Sequence, residues 1–92
     1  MSIQWLYDVI QERRDSPIIG SYTSSLFAEG LPKIAQKVGE EASEVIVAAL
    51  SQDDQRLIEE VADLSYHTLV LLAARNISLA DVQTELERRH KK

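Results

Sequence analysis

Cysteine is absent from this 92-residue sequence, and glycine (three) and proline (two) are scarce. Without cysteine the chain has neither a disulfide framework nor thiolate ligands for a metal. The alternation of β-branched residues that marks strands is also missing, while Ala, Leu, Glu, Gln and Arg dominate. These absences favour an all-α fold. The length predicts one domain, residues 1–92.

The charge and the apolar runs exclude several classes of partner. A formal net charge of −5 argues against a general nucleic-acid binder. The segment Met1–Trp5 lacks the basic start and apolar core of a signal peptide. The longest uninterrupted apolar run, Leu69–Ala74, is far too short to span a membrane. We therefore expect a soluble cytoplasmic protein with no membrane and no nucleic acid as partner.

Helical spacing of apolar residues, together with capping residues, predicts a bundle of four to five helices. The predicted segments run from Ser2 to Arg13 or Arg14, from Ser24 to Glu29, from Leu31 to Leu50, from Asp53 to Arg75, and from Ser78 or Leu79 into a frayed end at residues 90–92. Ile3, Leu6 and Ile10 are expected in the core of the first helix. The segment Asp15–Thr23 interrupts the helices, since it contains proline, glycine and several hydroxyl residues.

Each of the two long helices carries an apolar stripe. The stripes comprise Leu31, Ile34, Ala35, Val38, Ala42, Val45, Ile46 and Ala49 in one helix, and Leu57, Val61, Leu64, Thr68, Leu71 and Leu72 in the other. The connection between the helices is short, so they should pack antiparallel. Gly39 lowers helix propensity, which suggests a close packing contact there. Residues 69–74 are apolar on every side of the helix, and this predicts an oligomer interface.

Two pairs of carboxylates border these stripes. Glu41 and Glu44 are three residues apart, as are Glu60 and Asp63, so each pair lies on one helical face. Glu40 points further out. In an antiparallel hairpin the two pairs lie at similar height, and four acids at close range repel unless a cation binds. All-oxygen ligands suit Mg²⁺ or Mn²⁺ rather than Zn²⁺. The alternative is that these acids form solvated helix faces.

Other polar residues near the acids are candidates for binding phosphate. Lys33 and Lys37 lie one turn apart, just before the first acid pair. They either hold phosphate oxygens or are ordinary surface lysines. His67 follows Asp63 by four residues and either contacts substrate or a carboxylate, or has a structural role.

A cluster of hydroxyl groups, Ser21-Tyr22-Thr23-Ser24-Ser25, precedes the second predicted helix. Such hydroxyls either bond phosphate or cap a helix. The residues leave both interpretations open.

The acidic pattern matches the signature E-E-x-x-E … E-x-x-D, with Glu40, Glu41, Glu44, Glu60 and Asp63 in its places. The sequence resembles the phosphoribosyl-ATP pyrophosphohydrolases of histidine biosynthesis, which belong to the all-α, MazG-like nucleotide pyrophosphohydrolases. The resemblance to this subfamily is strongest in the segments SYTSSLFAEGLPKIAQKVGEEASEVIVAA and EVADLSYHTLVLL. It covers nearly the whole chain.

The resemblance implies Mg²⁺-dependent hydrolysis of phosphoribosyl-ATP, a small nucleotide, by a homodimer or higher oligomer. It implies a metal site at Glu41, Glu44, Glu60 and Asp63. Lys37 would stabilise phosphate charge. Glu40 would act as a base, or would support a metal ligand without binding the ion itself. The substrate-binding candidates are Ser21, Tyr22, Thr23, Lys33, Lys37 and His67.

Two other functions are alternatives to this one. The first is a pyrophosphatase of the same fold that clears non-standard nucleoside triphosphates. The second is a helical dimerisation module without enzymatic activity.

Overall fold

The computed structural model describes residues 1–91, and those residues form five α-helices and no strand. The helices are α1 (Ile3–Asp15), α2 (Tyr22–Glu29), α3 (Leu31–Ser51), α4 (Asp54–Ala74) and α5 (Leu79–His90). The all-α prediction is confirmed, and every predicted helix occurs with bounds within two residues of those expected. The fraying predicted for Lys92 lies outside the described residues.

Side-chain caps explain where four of the helices begin. Ser2 Oγ accepts a hydrogen bond from the Trp5 amide at 3.0 Å, and Ser21 Oγ accepts from Ser24 at 3.1 Å. The helices α4 and α5 are capped in the same way, by Asp53 (from Arg56 N) and Ser78 (from Asp81 N). The prediction that Tyr22 and Thr23 belong to the break was wrong. With Ser21 as the cap, both residues form the first turn of α2.

Loss of the Ser78 cap is expected to destabilise α5. Ser78→Ala should lower the free energy of unfolding by about 1 kcal/mol, since the Asp81 amide loses its acceptor. Thermal unfolding at a fixed protein concentration measures the change. Ser78→Asp is the matched control, because an aspartate side chain caps equally well. Equal destabilisation by both variants would contradict the capping explanation.

The core lies where α1, α2, α3 and α4 meet, and Leu79 at the start of α5 completes it. Its buried members are Tyr7, Ile10, Leu26, Ile34, Leu69, Val70, Ala73 and Leu79. Of the core residues predicted on α1, Ile10 is buried, Leu6 is half-buried and Ile3 is 50% exposed. The sequence interpretation missed Tyr7, whose ring is buried because its hydroxyl donates a hydrogen bond to the Ile77 carbonyl.

Helices α3 and α4 form the antiparallel hairpin that was predicted, but they pack through other faces. The buried residues of α3 are Ile34, Glu41 and Ala48, and on α4 Glu60 and His67 are buried opposite them. Much of each apolar stripe lies outside this contact: Ile46 is 60% exposed and Val61 44%. The acid-bearing edges therefore face each other, and large parts of the apolar stripes face outward.

Two packing expectations on the long helices need correction. Gly39 is exposed, and a Cβ there would meet no other atom within 4 Å, so no close contact within the chain explains it. In the apolar run 69–74, Leu69, Val70 and Ala73 are already buried within the chain. Those three residues are covered by the chain's own core cluster, so they do not require a second subunit.

None of the helices formed by residues 1–91 is long and apolar enough to cross a membrane.

Candidate active site

Three carboxylates from the two long helices converge at one point of the hairpin. One oxygen each from Glu41 on α3 and from Glu60 and Asp63 on α4 lie within 4.8 Å of one another. The antiparallel packing brings them together, because residues before the turn meet residues after it at the same height. Of the four acids predicted to meet, these three form the cluster.

Burial leaves this cluster short of compensating partners. Glu41 is 8% exposed and Glu60 is 5% exposed, whereas Asp63 lies at the surface. The Oε2 atoms of Glu41 and Glu60 are both buried without a hydrogen-bond partner among residues 1–91. A buried charged oxygen without a partner is unfavourable. The arrangement therefore disfavours the alternative of a solvated acid face for Glu41 and Glu60.

Glu44 lies beside the cluster rather than within its three-atom group. It lines a cleft of about 320 Å³ together with Glu60, one turn of α3 towards the hairpin turn. The neighbouring Glu44 carboxyl, followed by burial, raises the pKa of Glu60, and the guanidinium of Arg56 partly opposes this effect. The largest contribution to the raised pKa of Glu60 is a hydrogen bond with the Glu44 carboxyl, because such a bond needs a proton on one of the two acids.

The remaining charged candidates are more peripheral. Glu40 is exposed and its carboxylate is 4.0 Å from Lys37 Nζ, so it faces away from the three clustered acids. Lys33 and Lys37 are half-buried on the same face of α3. The structure keeps these residues near the site but does not bring them into the carboxylate group. Their roles stay predictions.

His67 is held between the acid cluster and α2. Its Nδ1 lies 2.8 Å from the Asp63 carbonyl oxygen and 3.8 Å from Glu41 Oε1. A carbonyl only accepts, so Nδ1 carries a proton, and Nε2 forms a hydrogen bond with the Tyr22 hydroxyl at 3.0 Å. His67 is 5% exposed and both of its ring nitrogens are engaged in these contacts, so its predicted contact with substrate stays a prediction.

The hydroxyl segment is tied to the structure by several of its own groups. Ser21 caps α2, Tyr22 bonds His67, and the Thr23 hydroxyl bonds Tyr66. The Tyr22 ring stacks on Tyr66 with centroids 6.3 Å apart and remains 51% exposed. The capping interpretation is therefore correct for Ser21. The exposed Tyr22 ring leaves a flat apolar face near the site.

Arg56 was not among the residues predicted for the site. Its guanidinium donates to Glu60 Oε1 at 2.6 Å, one turn along α4. The four-residue spacing of Arg56 and Glu60 on one helix face was the available signal. Arg56 lines the same cleft as Glu44 and Glu60.

The donor set fits a hard divalent cation. Carboxylate oxygens are what Mg²⁺ and Mn²⁺ prefer, and Mg²⁺ usually takes one or two carboxylates plus water and phosphate oxygens. The orphaned oxygens of Glu41 and Glu60 are the atoms that such an ion would satisfy. The exposed side at Asp63 leaves room for a nucleotide phosphate to approach.

Comparison with known proteins gives the same family over almost the whole chain. The family model described as phosphoribosyl-ATP pyrophosphohydrolase matches residues 3–90. The chain is 50% identical over 90 residues to a protein of Clostridium botulinum named phosphoribosyl-ATP pyrophosphatase, covering 98% of this chain and 82% of that protein. Proteins of the same name from Lacticaseibacillus casei and Listeria monocytogenes serotype 4a are 55% and 58% identical, covering 99% and 95% of this chain and 83% and 84% of theirs. The chain belongs to the phosphoribosyl-ATP pyrophosphohydrolase family.

Proposed function

We propose that this protein hydrolyses the α–β phosphoanhydride of 1-(5-phosphoribosyl)-ATP. The products are 1-(5-phosphoribosyl)-AMP and pyrophosphate, as in the second step of histidine biosynthesis, and Mg²⁺ is the required cofactor, with Mn²⁺ as a substitute. We place the reaction in the cytoplasm, with the nucleotides that supply its substrate. The observation that carries the proposal is the buried, under-compensated carboxylate cluster in a chain of this family.

Each residue of the proposed site has a role that follows from its position. Glu41, Glu44, Glu60 and Asp63 hold the cation, directly or through water. A bound Mg²⁺ would polarise the phosphoryl oxygens and offset the charge of the departing pyrophosphate. Lys37, on the same helix as the first acid pair, donates to phosphate oxygens. Glu40 accepts a proton from the attacking water, or supports one of the metal-binding carboxylates without binding the ion itself.

The hydroxyl-bearing start of α2 supplies a second part of the site. The ring of Tyr22 is exposed and fixed by His67, so it offers a stacking surface for the purine. Ser21, Thr23 and Lys33 complete the predicted substrate contacts. The carboxylates and the tyrosine are linked through His67, which touches both groups.

Release of pyrophosphate tests the proposal directly. Purified protein is incubated with phosphoribosyl-ATP and Mg²⁺, and with EDTA in a parallel reaction. We expect stoichiometric pyrophosphate and phosphoribosyl-AMP in the first reaction only. Turnover of a panel of deoxynucleoside triphosphates, measured in the same assay, distinguishes the alternative functions. Preference for that panel would favour the house-cleaning pyrophosphatase, and no turnover of any substrate would favour the dimerisation module.

We also propose that a second copy of the chain covers the outward parts of the apolar stripes. These parts include Leu31, Ala35, Ile46 and Ala49 of α3 and Leu57, Val61 and Leu64 of α4, all exposed or half-buried in the single chain. Contiguous exposed apolar surface marks protein–protein contacts. Because the stripes lie on both helices of one hairpin, two hairpins stacked face to face would bury them in a four-helix arrangement.

A charge placed on this surface is expected to dissociate the oligomer. Ile46→Glu puts a carboxylate into the apolar stripe of α3, where its desolvation opposes association. We expect sedimentation velocity to show a homodimer for the wild type and a monomer for the variant at the same concentration. Gln36→Glu on an exposed polar position of α3 is the matched control and should stay dimeric. A monomeric wild type would rule out the proposed interface.

A further inference from the structure

The side chain of Arg56 is in direct contact with the acid cluster. It donates from one guanidinium nitrogen to Glu59 Oε1 at 2.5 Å and from the other to Glu60 Oε1 at 2.6 Å. The Glu60 side chain is 6% exposed, whereas that of Arg56 is 48% exposed. A guanidinium at the surface thus reaches inward to a buried carboxylate.

This contact satisfies only half of the Glu60 carboxylate. Its Oε1 is held by Arg56, and its Oε2 is buried without a hydrogen-bond partner among the described residues. Glu41 and Asp63 present further carboxylate oxygens within 4.8 Å. One positive charge therefore faces several negative ones, and it approaches them from the side of the cleft that Arg56 lines.

A divalent cation entering between these acids competes with Arg56 for the same carboxylate. The ion offers two charges and can take oxygens from both helices, whereas Arg56 reaches only acids of its own helix. We propose that Arg56 is an internal counter-cation of the metal-free site, which positions the Glu60 carboxylate and yields it when the divalent ion binds. This inference rests on the proposed function, since it takes the cluster to be a metal site.

Removal of Arg56 should therefore tighten binding of the metal ion itself. The experiment is a calorimetric titration of the full chain with Mn²⁺, without nucleotide, in 0.15 M salt. We expect Arg56→Gln to bind Mn²⁺ about two- to fivefold more tightly than the wild type, since a half-exposed ion pair no longer has to be broken. Arg56→Lys keeps the charge and should stay near the wild-type affinity.

Lys37→Gln is the matched control for a general field effect. It removes one positive charge near the site, but Lys37 pairs with the exposed Glu40 and not with the buried acids. Its Mn²⁺ affinity should change by less than about twofold, because no carboxylate of the cluster has to be released from Lys37 before the ion binds. Equal tightening in both variants would mean that net charge, not the contact with Glu60, sets the affinity, and would overturn the inference.

Thermal unfolding gives a second, independent readout. In EDTA, Arg56→Gln should melt below the wild type, since the acids lose their counter-cation. With saturating Mn²⁺ this difference should close. A variant that binds Mn²⁺ no more tightly than the wild type overturns the role of Arg56 alone. A wild-type chain that binds no Mn²⁺ overturns the metal site and this inference together.

Discussion

Replacement of Asp63 by asparagine is expected to reduce Mg²⁺-dependent pyrophosphate release by more than about 100-fold. Mutation of a residue that hydrogen-bonds to a metal ligand typically lowers metal affinity or activity by about 10–100-fold. Loss of a ligand itself should lower activity by more. Asp63 is the exposed member of the cluster, so the isosteric change removes a charged oxygen without disturbing the core. The measurement is initial rate of pyrophosphate release from phosphoribosyl-ATP at saturating Mg²⁺.

The experiment needs a control for folding and one for charge. Circular dichroism of Asp63→Asn should match the wild type, because the helices do not depend on this side chain. Glu12→Gln removes an exposed carboxylate from α1 and should leave the rate unchanged. Glu44→Gln is expected to behave as Asp63→Asn does. Full activity of either site variant would contradict the proposed metal ligands.

Neutralising Glu41 is expected to raise the melting temperature of the metal-free protein. Its Oε2 is buried without a partner among residues 1–91, close to the Glu60 and Asp63 carboxylates. In Glu41→Gln an amide replaces the repelling charge and can donate to a neighbouring carboxylate. The gain should be about 1–3 kcal/mol, which is at least about 4 °C for a domain of this size.

The same variant should lose its thermal response to Mg²⁺. The wild type is stabilised by a ligand that binds only the folded state, whereas Glu41→Gln lacks one of the proposed ligands. Melting curves in EDTA and in Mg²⁺, at one protein concentration, test both expectations. A marked decrease in metal-free stability would show that Glu41 is a structural ion-pair partner. Gln36→Glu, on the exposed face of α3, reports the effect of an unrelated charge change on the same helix.

The positions of the helices were predictable because their signals are local. Ser2, Ser78 and Asp53 act as caps through bonds to amides three residues on, and such bonds depend on neighbouring sequence only. The meeting of Glu41 with Glu60 and Asp63 was predictable for a related reason. A short turn fixes the height at which two antiparallel helices meet, and three-residue spacing fixes the face.

The packing faces of α3 and α4 were not predictable in the same way. Periodicity shows which face of a helix avoids water, but not which surface covers it. Much of the apolar stripe of each long helix is left outside the chain's own core, while Glu41, Glu60 and His67 are buried. Hydrophobic pattern alone assigns burial to the stripe and exposure to the acids, so it fails where function requires buried charge.

Tertiary burial explains the other misses. Tyr7 was not among the predicted core residues, because its hydroxyl acceptor, the Ile77 carbonyl, lies 70 residues away in sequence. The contact of Arg56 with Glu60 lies within one helix, but it becomes informative only because Glu60 is buried. Both require the tertiary structure.

The anchoring of the first turn of α2 has a consequence for the entropy of substrate binding. Tyr22 and Thr23 are bonded to His67 and Tyr66 of α4, the helix that carries Glu60 and Asp63. Their rotamers are therefore fixed when the chain folds, and in the proposed function nucleotide association does not have to order them again. The ordering cost of this segment is borne by the stability of the free protein rather than by its affinity for substrate.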